Sequence, residues 1–277
     1  MTIGFSIALI VFVSISSVFL MNADDLIMKN TNDNIEHLKN IDENDHAEIY
    51  SGQTEGDMVL TPLQKELLYK GPKHRTGLVN LTRKWTNNEI PYKIAKGNFS
   101  WLQEQFIILA TKKLMEVSCI KFVPYDEDYH KNYISIVGQF AGCFSQVGMI
   151  GGRQILNLAP SEIGVACFKF YSIVHELIHA LGFAHMHCAS ERDEYIEVIE
   201  ENILANQSHN FQKYSNNVIT QFGIDYDYGS VMHYPAKAFS KNNQSTLIPL
   251  KSLNGVEMGQ RQRLSDSDIA RINAKYC

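Results

Sequence analysis

The stretch VHELIHALGFAHMHC, residues 174–188, sets four histidines and one glutamate in an otherwise mostly apolar run. His175 and His179 are four residues apart, so on a helix both imidazoles project from one face. Glu176 is next to the first of them and can reach the same space. This H-E-x-x-H spacing lets two ring nitrogens bind one Zn2+ beside a carboxylate base. Taken alone, it also fits core histidines on an amphipathic helix. The pattern continues, however, with Gly182 seven residues after His175 and His185 ten after. A glycine can end a helix in the left-handed conformation, and the turned chain can then bring a third imidazole to the metal. Three neutral nitrogens leave a fourth position for water, as a catalytic zinc site requires. Zinc lowers the pKa of bound water from about 15.7 towards about 7 and polarises a carbonyl. The chemistry implied is metal-assisted hydrolysis, with Glu176 moving the proton.

The elements that must hold these groups are legible around them. Residues 168–181 read as the helix that carries the first two histidines, closed by Gly182. Ser100 and Gln103 make a capping box ahead of WLQEQFIILATKKLMEVSC, whose apolar residues recur at helical spacing. CIKFVPY and NYISIVGQ read as strands, and AGCFSQVGMIGGRQILNL as a glycine-rich turn followed by another strand. A helix is expected from Thr61, and DSDIARINAKYC reads as a closing helix. Between Gly182 and that helix the pattern predicts mostly loops and short helices. No internal repeat is visible.

Composition bounds the setting. The chain has 277 residues, 45% hydrophobic, enough to bury a core in one domain or a domain plus an appendage. The net charge of −5 gives no sign of a nucleic-acid binder. Residues 24–75 carry eleven acids and six bases, whereas residues 76–277 carry nineteen of each. An acidic front segment therefore precedes a balanced globular part. The uncharged, mostly apolar run from Ile3 to Met21 reads as a secretory signal with cleavage after Ala23. The rival reading is an uncleaved membrane anchor. In a secreted chain the five cysteines should pair, leaving one over. Four N-x-S/T sequons, at Asn80, Asn98, Asn206 and Asn243, fit the same compartment.

Further along, SVMHYP supplies Met232 and, two residues later, Tyr234. With H-E-x-x-H-x-x-G-x-x-H this completes the metzincin pattern. The blocks RKWTNNEIPYKI, CIKFVP, GCFSQVGMIGGRQILNL, VHELIHALGFAH, ERDEY, SVMHY and GQRQRLSDSDIARIN follow in order. Over about residues 54–277 the chain resembles the astacins, secreted zinc endopeptidases of the metzincin clan. The resemblance implies an α+β fold of two lobes with a cleft between them. The upper lobe would hold a twisted, mostly antiparallel sheet with two long helices, one of them the zinc-site helix, and the lower lobe would be irregular. It implies His175, His179 and His185 as ligands of one Zn2+, and Glu176 as the general base. Tyr234 would bind zinc in the resting enzyme and swing away to stabilise the oxyanion. Met232 would pack beneath the metal without coordinating it. An extended substrate could add along an edge strand of the upper lobe.

The same resemblance implies disulfides Cys119–Cys277 and Cys143–Cys167. The first would close a loop of roughly 160 residues and constrain the unfolded chain by about 4–5 kcal/mol in the loop-entropy model. Cys188 is left over: a buried free thiol, with an intermolecular disulfide or adventitious metal binding as alternatives. TEGDMVLT resembles the propeptide motif whose aspartate caps the zinc, with Thr54 where phenylalanine is usual. Asp57 would then ligate zinc in a zymogen, the alternative being a Gly-Asp surface turn. The implied organisation is a signal peptide over 1–23, a propeptide over 24–75 and a catalytic domain over 76–277. An activating protease would cut near Arg75–Thr76. Two family positions depart: Met186 stands where a glutamate is usual and Ala189 where an arginine is. His187 is an added imidazole close to the metal, with a solvated loop histidine as the alternative reading. The partners implied are protein or peptide substrates, with no stable membrane association and a monomeric chain. Competing functions are a catalytically silent astacin-like binding protein and a zinc hydrolase acting on something other than peptides.

Overall fold

The computed structural model describes residues 47–70, 83–215 and 218–277. The signal-peptide reading over 1–23, the first part of the propeptide, the Arg75–Thr76 cleavage site and the Asn80 sequon lie outside the described residues.

The backbone of the fold is a six-stranded sheet in the order β1-β5-β6-β4-β2-β3. Its strands are β1 (Met58–Val59), β2 (Glu89–Ile94), β3 (Lys121–Pro124), β4 (Tyr133–Val137), β5 (Cys143–Gln146) and β6 (Arg153–Leu158). Four of its five pairings, β1 with β5, β2 with β3, β2 with β4 and β4 with β6, are parallel. The antiparallel pairing is β5 with β6. The expectation of a mostly antiparallel sheet is therefore corrected: the sheet is mixed and mainly parallel. The cause lies in the connections. The helix α2 (Trp101–Glu116) runs between β2 and β3 and returns the chain to the same end of the sheet, as a parallel pair needs. The short connection 147–152 reverses direction at once and gives the hairpin of β5 and β6.

Helix α1 (Pro62–Lys70) follows β1. Helix α2 opens on the Ser100–Gln103 capping box: Ser100 Oγ accepts from the Gln103 N–H, and Gln103 Oε1 accepts from the Ser100 N–H. Phe106, Ile107, Ala110 and Leu114 on its inner face join Ile90, Ile134, Ile136 and Leu156 of the sheet in one apolar cluster. Helix α3 (Phe170–Ala180) is buried along nearly its whole length and contributes Ile173, Val174, Leu177 and Ile178 to the same cluster. Helix α4 (Asp266–Tyr276) closes the chain, capped reciprocally by Ser265 and Asp268. Disulfides join Cys119 to Cys277 and Cys143 to Cys167. The second ties β5 to the segment entering α3.

The C-terminal half is sparse in regular structure, with one short antiparallel pair, β7 (Ile196–Val198) and β8 (Leu247–Pro249). It has its own apolar cluster, including Phe211, Tyr226, Tyr234, Phe239 and Leu247. The segment 47–60 reaches both parts. Ile49 belongs to this lower cluster, while Met58 and Leu60 pack with Val147.

Candidate metal centre

The end of α3 is built as a stop. Gly182 takes φ of 90°, a left-handed value that an L side chain resists. Its N–H donates to His179 O at 2.7 Å, and the Phe183 N–H donates to Ile178 O at 3.3 Å, the two bonds of a Schellman motif. Side chains satisfy the remaining carbonyls of this turn. Trp85 Nε1 donates to Ala180 O (2.8 Å), the Tyr276 hydroxyl to Leu181 O (2.8 Å) and Lys275 Nζ to Gly182 O (2.9 Å). An apolar helix end thus has every reason to hold one position, and the chain leaving it carries His185 back.

His175, His179 and His185 converge. Nε2 of His175 is 3.1 Å from Nε2 of His179 and 3.3 Å from Nε2 of His185. The far ring nitrogens fix the protonation. Nδ1 of His175 faces Val231 O at 2.8 Å, Nδ1 of His179 faces Phe183 O at 2.8 Å, and Nδ1 of His185 faces the Glu55 carboxylate at 2.8 Å. All three partners accept only, so each Nδ1 carries the hydrogen and each Nε2 presents a lone pair inwards. Asp57 joins them, with Oδ2 at 3.0 Å from His175 Nε2 and 3.3 Å from His185 Nε2, and Oδ1 at 3.4 Å from His179 Nε2. Three lone pairs and a carboxylate, all buried, require a cation between them. Zinc–nitrogen bonds of about 2.0–2.1 Å in a tetrahedron put ligand atoms roughly 3.3 Å apart, so the residues present fit Zn2+. Burial opposes ionisation of Asp57, but positive charge held at the three imidazoles outweighs it and keeps its carboxyl well below the usual range.

Glu176 is fully buried, and neither of its carboxylate oxygens has a hydrogen-bond partner among the described residues. Burial, then the charges of Asp57 and Glu48, push its carboxyl well above the ordinary range, with Arg261 pulling the other way. The Tyr234 hydroxyl donates to the Glu55 carbonyl, and its ring stacks on His187 at 3.7 Å. Met232 is buried in the cluster of α3, and its carbonyl accepts from the Met186 N–H at 2.9 Å. The peptide before it supplies the Val231 carbonyl that orients His175.

His187 is not a solvated loop histidine. The short turn Met186–Cys188 folds inwards, and the imidazole is buried between Tyr234 and Phe211 with Nε2 donating to Asn210 O at 2.9 Å. Burial holds its pKa well below the usual value. Cys188 is a buried free thiol, raised well above the ordinary value by burial and then by Glu55. Glu55, His187 and Cys188 also cluster, but His187 Nε2 is committed as a donor to Asn210 and offers no lone pair there. Met186 and Ala189 are both buried in the lower apolar cluster.

Sequence reasoning passed over two carboxylates of the front segment. Glu55 is the acceptor for His185, and Glu48 forms a buried ion pair with Arg261 at 2.7 Å. The only cue to Glu55 was its place two residues before Asp57; nothing local pointed to Glu48.

The family model Astacin, which describes a family of peptidases, matches residues 77–277. Zinc metalloproteinase nas-4 of Caenorhabditis elegans is 37% identical over 223 residues, 80% of this chain and 68% of that protein. Zinc metalloproteinase nas-15 of the same organism is 38% identical over 204 residues, 74% of this chain but 34% of its own length. Among solved structures, the high choriolytic enzyme 1 of Oryzias latipes, a hatching enzyme zinc-protease, aligns with a TM-score of 0.62 at 34% identity. That alignment covers 70% of this chain and 92% of the other. The chain therefore belongs to the astacin family of zinc metalloendopeptidases, and its cofactor is one Zn2+.

Proposed function

We propose that this chain is a secreted endopeptidase acting on protein or peptide substrates and made as a latent zymogen. The convergence of His175, His179 and His185 with Asp57 of the front segment carries this reading. The signal would span 1–23, the propeptide 24–75 and the catalytic domain 76–277, with activation by a protease cutting near Arg75. Two disulfides and the sequons at Asn98, Asn206 and Asn243 suit an oxidising compartment. No described helix is long and apolar enough to cross a membrane.

When bound, zinc supplies Lewis acidity and a lowered pKa for water. His175, His179 and His185 would hold it, with their orientations fixed from behind the rings. Asp57 would be a further ligand in the latent chain and would have to leave before water could enter. Glu176 then takes a proton from the attacking water and delivers it to the leaving amine. Its unpartnered, buried carboxylate suits that task, because a raised pKa brings a carboxylate towards the working pH of a base. Departure of Glu55 frees the Tyr234 hydroxyl, which donates where negative charge develops on the scissile carbonyl oxygen. Met232 and the Val231 carbonyl keep the floor of the site in register.

The test is Glu176→Ala in the processed chain. Casein cleavage is expected to fall by at least about two orders of magnitude, the usual contribution of a positioned acid–base group, with zinc content unchanged. Undiminished cleavage would remove Glu176 from the mechanism. An inactive wild type after verified propeptide removal would favour the silent binding protein instead.

A further inference from the structure

Two of the three zinc histidines are oriented by the catalytic part itself, through the Val231 and Phe183 carbonyls. The third is not. Nδ1 of His185 donates to Glu55 Oε2 at 2.8 Å, and among the described residues it has no second acceptor. Glu55 lies in the segment that our functional reading assigns to the propeptide. Its backbone is costly to hold: φ is 50°, in the left-handed region where a non-glycine residue is strained. The neighbouring Gly56, at φ 84°, is in turn packed so close to Ile49 that an added Cβ would lie 2.4 Å from the Ile49 carbonyl oxygen. The Glu55 N–H donates to Asn210 Oδ1 at 2.9 Å, and its carbonyl accepts from Tyr234. These main-chain bonds pin the residue on a strained, fully buried backbone. Its carboxylate is thereby aimed at the imidazole of a zinc ligand, with the Cys188 thiol as a weaker neighbour.

We propose that Glu55 is a positioning residue for His185, so that the front segment strengthens zinc binding in the latent chain as well as blocking the metal. A carboxylate behind a metal-bound imidazole fixes the ring and raises its basicity, and losing such a partner typically costs roughly 10–100-fold in metal affinity. Propeptide release then removes both Asp57 and the support of one histidine, and the mature domain holds zinc less tightly than the zymogen. The inference rests on the zymogen reading, with Asp57 and Glu55 as parts of one inhibitory segment.

The experiment measures zinc affinity of the full-length latent chain by competition with a chromogenic chelator, so no proteolysis is read. Wild type, Glu55→Gln and Glu55→Ala are compared, each also in an Asp57→Ala background. The main-chain bonds of residue 55 survive both substitutions. Affinity is expected to fall roughly 10–100-fold in Glu55→Ala and less in Glu55→Gln, whose amide oxygen still accepts from Nδ1. The same order should persist without Asp57. Wild-type affinity in Glu55→Ala would overturn the proposal, as would equal losses in both variants, which would mark general damage rather than a lost acceptor. Absence of stoichiometric zinc from the wild type would instead defeat the functional reading itself.

Discussion

At the scale of single residues, the site depends on where protons are. Each zinc histidine has its Nδ1 hydrogen fixed by an acceptor, leaving Nε2 unprotonated towards the metal. The first two ligands and Gly182 were legible because helical period and a left-handed stop are local properties of the sequence. Glu55 was not, because its meaning depends on an imidazole 130 residues away. His187 escaped for a related reason: a histidine in a short polar-looking turn reads as exposed until Tyr234 and Phe211 are known to enclose it. The capping role proposed for Asp57 makes a prediction at this scale. Uncleaved Asp57→Ala should hydrolyse a short chromogenic peptide at least about tenfold faster than uncleaved wild type, corresponding to about 1.4 kcal/mol of lost blockade. An uncleaved variant as silent as wild type would show that latency resides elsewhere in the segment.

At the scale of elements, the methionine turn is the support most open to test. Ser230 Oγ and the Val231 N–H both bond Asp268 at the start of α4, so helix and turn are locked together. His233 sits in that turn with Nδ1 donating to Tyr234 O at 2.7 Å and Nε2 accepting from the Tyr226 hydroxyl at 2.7 Å. Burial lowers its pKa from 6.5 to about 4. Between those values the unfolded chain binds a proton that the folded chain refuses, so this group's contribution is complete above pH about 6.5 and is lost as pH falls towards about 4. The effect amounts to at most about 3 kcal/mol. Urea unfolding of the uncleaved chain across that range should show a shallower acid loss in His233→Gln than in wild type; parallel curves would exclude the residue. Zinc-ligand protonation affects both proteins and cancels in the comparison. The direction of the sheet was the element-level property that sequence did not disclose. Alternation marks a strand and its buried face, but the partner's direction is set by connections such as α2, whose path is a tertiary fact.

At the scale of the whole molecule, the segment 47–60 is woven into the protein rather than laid on it. Ile49 enters the lower cluster, Met58 and Leu60 pack on Val147, β1 extends the sheet beside β5, and Glu48 pairs with Arg261. The latency proposed above would thus be distributed over packing, main-chain pairing and charge, with Asp57 as its chemical tip. Residues 47–60 take their path from the surface they meet. The charge contrast between residues 24–75 and the rest was visible in the sequence, and the buried carboxylates Glu48, Glu55 and Asp57 are the part of it that the fold uses.

The most direct test of the account is metal analysis of the purified, processed chain coupled to a chelator titration of its casein cleavage. The account predicts one zinc per chain, with proteolysis lost as the metal is removed and restored when zinc is returned. Zinc well below one per chain in an active preparation, or proteolysis indifferent to its removal, would contradict it.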